Sequence, residues 1–157
     1  MSSKKPRHEE IGSHSTSIGQ VRTRVVRILK PLSNFRPIKA GPLGTIPLPP
    51  ELVLKEGEDS YGVYENLPAE ADESIVVTNL GLHLRREQKW EFIDYRQIKE
   101  VEIVSPKETV DELFVRLTNQ ESVLLPIRGG KGRFRDAFEF IRFIDRVTSD
   151  LPSDTVQ

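Results

Sequence analysis

Between residues 54 and 127, apolar and polar positions alternate in short runs, each closed by a polar or glycine-bearing turn. Tyr61 and Val63, with Leu67 before Pro68, mark a first predicted strand, and Ser74–Thr78 a second that meets the turn Asn79-Leu80-Gly81. Leu82 and Leu84 alternate with His83 and Arg85 in a third, and Arg86-Glu87-Gln88 separates it from Trp90, Phe92 and Ile93 in a fourth. Ile98, Val101 and Ile103 give the fifth, with Glu100 and Glu102 on its opposite face. Leu113, Val115 and Leu117 form the sixth and, after Asn119-Gln120-Glu121, Val123, Leu125 and Ile127 form the seventh. A period of two predicts one buried and one wet face, as in antiparallel sheets. Regular spacing with polar turns predicts a sandwich or small barrel.

The period then changes. Gly129-Gly130-Lys131-Gly132 breaks the last strand, and residues 133–150 contain no Gly or Pro before Leu151-Pro152. At about 100° per residue, Phe134, Ala137, Phe138, Ile141 and Ile144 share one face of a predicted helix. Phe140, Phe143, Val147 and Leu151 widen the apolar arc to roughly 220°, more than one sheet edge covers. Either the proline-rich arm or a partner must cover the excess, and Phe140, Phe143 and Val147 are the candidate residues for contact with the N-terminal arm or a partner.

Upstream, residues 1–20 are polar, serine-rich and unable to bury enough surface to offset their ordering entropy, so they read as a disordered tail. The stretch 21–32 is ambiguous. Val21, Val25, Ile28, Leu29 and Leu32 fit helical spacing, yet Val21-Arg22-Thr23-Arg24-Val25 also alternates, and Pro31 ends either element. Residues 37–50 hold five prolines and two glycines together with Ile38, Leu43, Ile46 and Leu48, which predicts an extended arm laid on the domain surface. The organisation is thus a tail (1–20), a basic then proline-rich arm (21–53), a folded domain (54–151) and a short polar tail (152–157).

Composition narrows the classes. The 157 residues, 36% hydrophobic and 30% charged, suit one globular domain with chain left over. No run of about 18 apolar residues is present to span a membrane as a helix. The absence of cysteine removes disulfides, thiol chemistry and the usual zinc ligands. No apolar stretch follows the basic N-terminus, which leads to the expectation of a cytoplasmic chain. Net charge is −1, but residues 1–40 hold nine basic groups against Glu9 and Glu10, so a basic arm precedes an acidic body.

Three stretches carry a resemblance. Leu54-Lys55-Glu56-Gly57-Glu58, then Val77-Thr78-Asn79-Leu80-Gly81-Leu82, then Tyr95-Arg96-Gln97-Ile98-Lys99-Glu100-Val101 resemble runs found in bacterial pleckstrin-homology and GRAM-type domains. The order of seven strands and one C-terminal amphipathic helix is also that of the superfold. The resemblance covers about residues 54–150. It implies a mainly β fold with one C-terminal α-helix: a seven-stranded antiparallel sandwich or partly open barrel, capped by the helix. It also implies a scaffold that binds partners and performs no chemistry. Some relatives bind phosphoinositide headgroups through Lys and Arg around the first hairpin. This chain departs from them, since Asn66–Glu73 carries Glu70, Asp72 and Glu73 and no basic residue, and carboxylates there repel phosphates.

Catalytic patterns are sparse. His8 and His14 fall in the tail, and His83, between inward-pointing Leu82 and Leu84, is expected at the surface. No His or Cys pair has metal-ligand spacing in the predicted domain, so no metal and no cofactor is expected. Glu100 and Glu102 share a strand face as ordinary outer-face charges, and Gly129–Gly132 lacks the spacing of a phosphate-binding loop. Arg128, Lys131, Arg133 and Arg135 gather where the helix begins, a place that favours anions, and Arg22, Arg24 and Arg27 add charge from the arm. With only Phe35 interleaved for stacking, sequence-specific nucleic-acid recognition is not expected. The expectation is a non-enzymatic module that binds a protein partner. The alternative is peripheral binding to anionic lipid or another polyanion through the basic arm and the 128–135 loop, and an enzyme with an unrecognised site is the third.

Overall fold

The structure, a computed structural model, describes residues 20–37, 49, 51–67, 72–103, 111–129 and 135–151. The fold is mainly β, with two antiparallel sheets and a C-terminal helix, and the sheets do not close into a barrel. The ambiguous basic stretch is helical. A turn of α-helix at residues 20–24 continues into a π-helical segment, Val25–Leu29, and together they form α1. The Lys30 N–H donates to the Val25 carbonyl at 2.9 Å, and Pro31 follows, which cannot continue the hydrogen-bond ladder. Burial explains why the helix prevails over the strand: Val21, Val25, Ile28 and Leu29 all enter the core, which a strand of alternating register would not allow.

Eight strands follow among the described residues, one more than the alternation predicts. The larger sheet has the order β1 (Phe35–Pro37), β2 (Ser60–Tyr64), β3 (Ile75–Thr78), β4 (Gly81–Arg86) and β5 (Lys89–Asp94). The smaller comprises β6 (Ile98–Glu102), β7 (Glu112–Leu117) and β8 (Ser122–Pro126), and a 3₁₀ turn at Tyr95–Gln97 joins the two. The additional strand, β1, is too short to show a period and ends in proline. It exists because Phe35 pairs with Tyr64, and Gly62 leaves room for the Phe35 ring: a Cβ there would lie 2.5 Å from Phe35 Cε2. The first predicted strand ends at Tyr64 and does not reach Leu67. Between β4 and β5, Glu87 and Gln88 both have positive φ (54° and 67°), the mirror-image turn that suits the twist of a two-residue hairpin.

The last element, α2 (Arg135–Asp150), packs against β6, β7, the 3₁₀ turn and α1. Its Phe140, Phe143, Ile144 and Val147 join Leu29, Tyr64, Tyr95, Leu113 and Leu125 in one core. The α1 helix runs antiparallel to α2. Arg24 pairs with Asp150 at one end, while at the other Asn34 and Asp136 both crowd Gly129. This helical part of the arm therefore covers part of the wide apolar arc, and Phe138 stays half exposed. The proline-rich arm at 38–48, the two tails, and residues 133 and 134 at the expected helix start lie outside the described residues.

One expectation about the sheet is corrected. Alternation predicts a wet outer face, but every residue of β3 is buried, as are Gly81–Leu84 of β4. Val63, Val76 and His83 lie in one cross-strand row with Phe92, on the side away from the core cluster. The 55–59 segment lies over that side, with Lys55 Nζ 3.4 Å above the Phe92 ring and Glu58 on His83. A third layer therefore covers what a two-layer sandwich would leave in water.

Candidate functional site

Phe140, Phe143 and Val147, expected as partner contacts, are each 0% exposed. Phe140 meets Tyr64 edge-on at 5.0 Å, and Phe143 meets Tyr95 at 6.1 Å. These side chains are spent on the fold, and they form no docking face.

The basic residues divide into paired and exposed groups. Arg24 makes a two-pronged contact with Asp150, Nε to Oδ2 at 2.9 Å and Nη2 to Oδ1 at 3.3 Å, which holds the guanidinium in its charged form. Arg128 donates to Glu73 at 2.6 Å and to Asp111 at 2.8 Å, so its charge is already met. Lys131 and Arg133 lie outside the described residues; of the other two expected there, Arg128 is paired and Arg135 is exposed. Arg22 and Arg27 are exposed on α1. Burial and Asp59 push the Tyr61 hydroxyl up to about 12, and the Arg22 charge pulls it partly back.

The buried polar residues were not legible in the sequence. His83, expected at the surface, is 4% exposed, and its Nε2 lies 2.6 Å from Glu58 Oε2. The same carboxylate oxygen accepts from the Thr78 hydroxyl at 2.6 Å, while Oε1 accepts from the Lys55 N–H at 2.9 Å. Thr78 Oγ1 in turn accepts from the N–H groups of Leu80 and Gly81, which shapes the β3–β4 turn. Asn79 completes the clasp: its Oδ1 accepts from the Asp59 N–H at 2.6 Å, and its Nδ2 donates to the Gly57 carbonyl at 3.1 Å. The Gly-Glu and Thr-Asn-Leu-Gly stretches are thus the two halves of one hydrogen-bonded joint. A signal for it was present in those two stretches, but nothing in the period of two links residues twenty positions apart.

Burial pushes the Glu58 carboxyl up, but the hydrogen bonds from Thr78, Lys55 and His83 outweigh it and hold the group below the usual carboxylate range. A carboxyl with a lowered folded value adds stability above its unfolded value of about 4.3, and that stability is lost as pH falls through the folded value. Thermal melts taken at descending pH are therefore expected to be flat above about pH 5 and to drop below about pH 4. In Glu58→Gln the drop is expected to be shallower.

Two further clusters tie the sheets to α2. Asn66 Nδ2 donates to the carbonyls of Glu73 at 2.6 Å and Pro126 at 2.8 Å, and its Oδ1 accepts from the Arg128 N–H at 2.6 Å. Tyr64 donates from Oη to Asp136 Oδ2 at 2.7 Å and accepts from the Gly129 N–H at 3.0 Å. Burial and Asp136 push the Tyr64 hydroxyl far above its ordinary range, so it stays a donor. Tyr64→Phe leaves a buried carboxylate oxygen and an amide without this partner and is expected to cost about 1–3 kcal/mol in urea unfolding.

Among the described residues, no group of three or more His, Cys, Asp or Glu is placed to hold a metal ion, and no helix is long and apolar enough to cross a membrane. Each buried polar cluster is closed on itself by hydrogen bonds that cross between elements, which makes these clusters joints of the scaffold. What remains for recognition is the exposed surface. Compared with family models, with curated proteins and with solved structures, the chain gives no match.

Proposed function

We propose that this chain is a non-catalytic interaction module of the pleckstrin-homology type that binds a protein partner. The observation that carries the reading is the order of β2 to β8 followed by α2, in which the residues of the resemblance act as structural joints. Glu58, Thr78 and Asn79 clasp the 55–59 segment to the β3–β4 turn, and Tyr95 donates to the Thr78 carbonyl at 2.8 Å beneath it. Side chains used in this way stiffen a scaffold. A cytoplasmic location is part of the reading.

The test is a photo-crosslinking scan of the full chain in its native host, with the crosslinking residue placed at exposed positions of each element. Adducts of one defined mass from adjacent positions support the module. No adduct from any surface overturns it.

Exposed Arg22, Arg27 and Arg135, which take part in none of the ion pairs among the described residues, favour peripheral binding to a polyanion as the second reading. It requires co-sedimentation with phosphatidylglycerol vesicles at low salt that fades steeply as salt is added. Vesicles that leave the protein in the supernatant at low salt remove it.

A further inference from the structure

We infer that the outward face of the α1–α2 pair is the docking surface of the module and that its partner is an acidic protein. The inference rests on the protein-binding reading above and adds the place and the chemistry.

The two helices pack antiparallel, and both carry exposed cations. Arg27 on α1 and Lys30 just after it are exposed, as are Arg135, Arg142 and Arg146 on α2. Two apolar side chains stand among them, Val26 at 50% exposure and Phe138 at 52%. Acidic groups are fewer: Asp150 is taken by Arg24 and Glu139 by Arg142 at 2.9 Å, which leaves exposed Asp145. The face carries excess positive charge on a chain whose net charge is −1.

The chain does not supply the counter-charge from its remaining segments. Outside the described residues there are seven basic and five acidic residues, and no single segment is more acidic than −1. A molecule that buries this face would have to bring the counter-charge itself.

The side-chain chemistry favours a protein over a bilayer. Four of the five exposed cations are arginines, although the chain contains nine lysines. Arginine and aromatic residues are enriched at protein interfaces and lysine is depleted. A guanidinium takes a carboxylate in two parallel hydrogen bonds, a geometric match that fluid headgroups do not need. Exposed Asp145, on the same helix as the arginines, would face an anionic bilayer unfavourably, whereas a folded partner can place a cation opposite it.

The experiment places a benzoylphenylalanine at 27, 138 or 142 on the helix face and, as controls, at exposed Glu91 and Glu121 of the sheets, in the full chain and in the native host. One common adduct is expected from the three helix positions and none from the controls. Arg27→Glu with Arg146→Glu is expected to lower the adduct from position 142 and to weaken binding of the purified partner about tenfold. Both arginines are exposed, so the melting temperature should stay at the wild-type value. Adducts from the control positions alone keep the module and overturn this face. No adduct anywhere overturns both. An adduct between two copies of the chain overturns the proposed partner. So does sedimentation with phosphatidylglycerol–phosphatidylcholine vesicles in the absence of any protein adduct.

Discussion

Phe143→Ala is expected to lower the unfolding free energy by about 3–5 kcal/mol, read from the midpoint of urea denaturation with the slope unchanged. The ring is fully buried, packed edge-on against Tyr95 and 6.5 Å from Phe140, and its removal leaves a cavity between α2 and the sheets. The variant also separates two uses of the same residue. A side chain that served a partner would be lost with a modest change in stability and a large change in binding. A side chain covered by the protein's own elements does the opposite. Phe143→Leu, which keeps most of the apolar volume, is expected to recover a large part of the loss. A Phe143→Ala protein as stable as the wild type would mean that α2 does not sit on the sheets as described.

Glu58→Ala is expected to be nearly as costly, about 3 kcal/mol, although it removes no part of the main apolar core. The substitution strips the partner from three donors at once: the Thr78 hydroxyl, the Lys55 N–H and the His83 ring. His83 and Thr78 are buried and cannot turn to water for replacement. Glu58→Ala combined with His83→Ala should therefore cost clearly less than the two single losses added together, because each single change orphans the other member. Strict additivity in that cycle would show that the two side chains do not act as a pair. Circular dichroism melts at neutral pH suffice for all three proteins.

Much of the β architecture was legible because it depends on local pattern. Leu82 and Leu84, or Leu113, Val115 and Leu117, announce a strand wherever they occur, since a period of two has one solution on a half-buried sheet. The long C-terminal helix was legible for the same reason. Its inner face was read correctly as too wide for one sheet edge. The choice between arm and partner as its cover was not in that pattern, because the pattern records that a face is apolar and not what lies on it. Val21, Val25 and Leu29 of α1 join the inner face of α2 in one core and so cover part of it.

His83 shows the opposite limit. Alternation placed it correctly on the face away from Leu82 and Leu84, and the inference to solvent failed because a third layer crosses that face. Glu58 is separated from His83 by 25 residues, and no local period links them. Arg128 shows the same limit. Its cationic neighbours in the sequence offer an anion contact, while folding brings Glu73 from 55 residues away onto its guanidinium.

By itself the sequence determined the strands with a clear period, the final helix, the absence of cysteine chemistry and the uneven spread of charge, all properties fixed by neighbours along the chain. Tertiary structure alone decided the strand β1, the helical state of the basic stretch, the cover on the aromatic face of α2 and the burial of His83. It also decided which arginines remain open to a partner. Each of those depends on which distant residue arrives opposite, and hydrogen bonds and ion pairs between elements form only when packing has brought their two halves within reach.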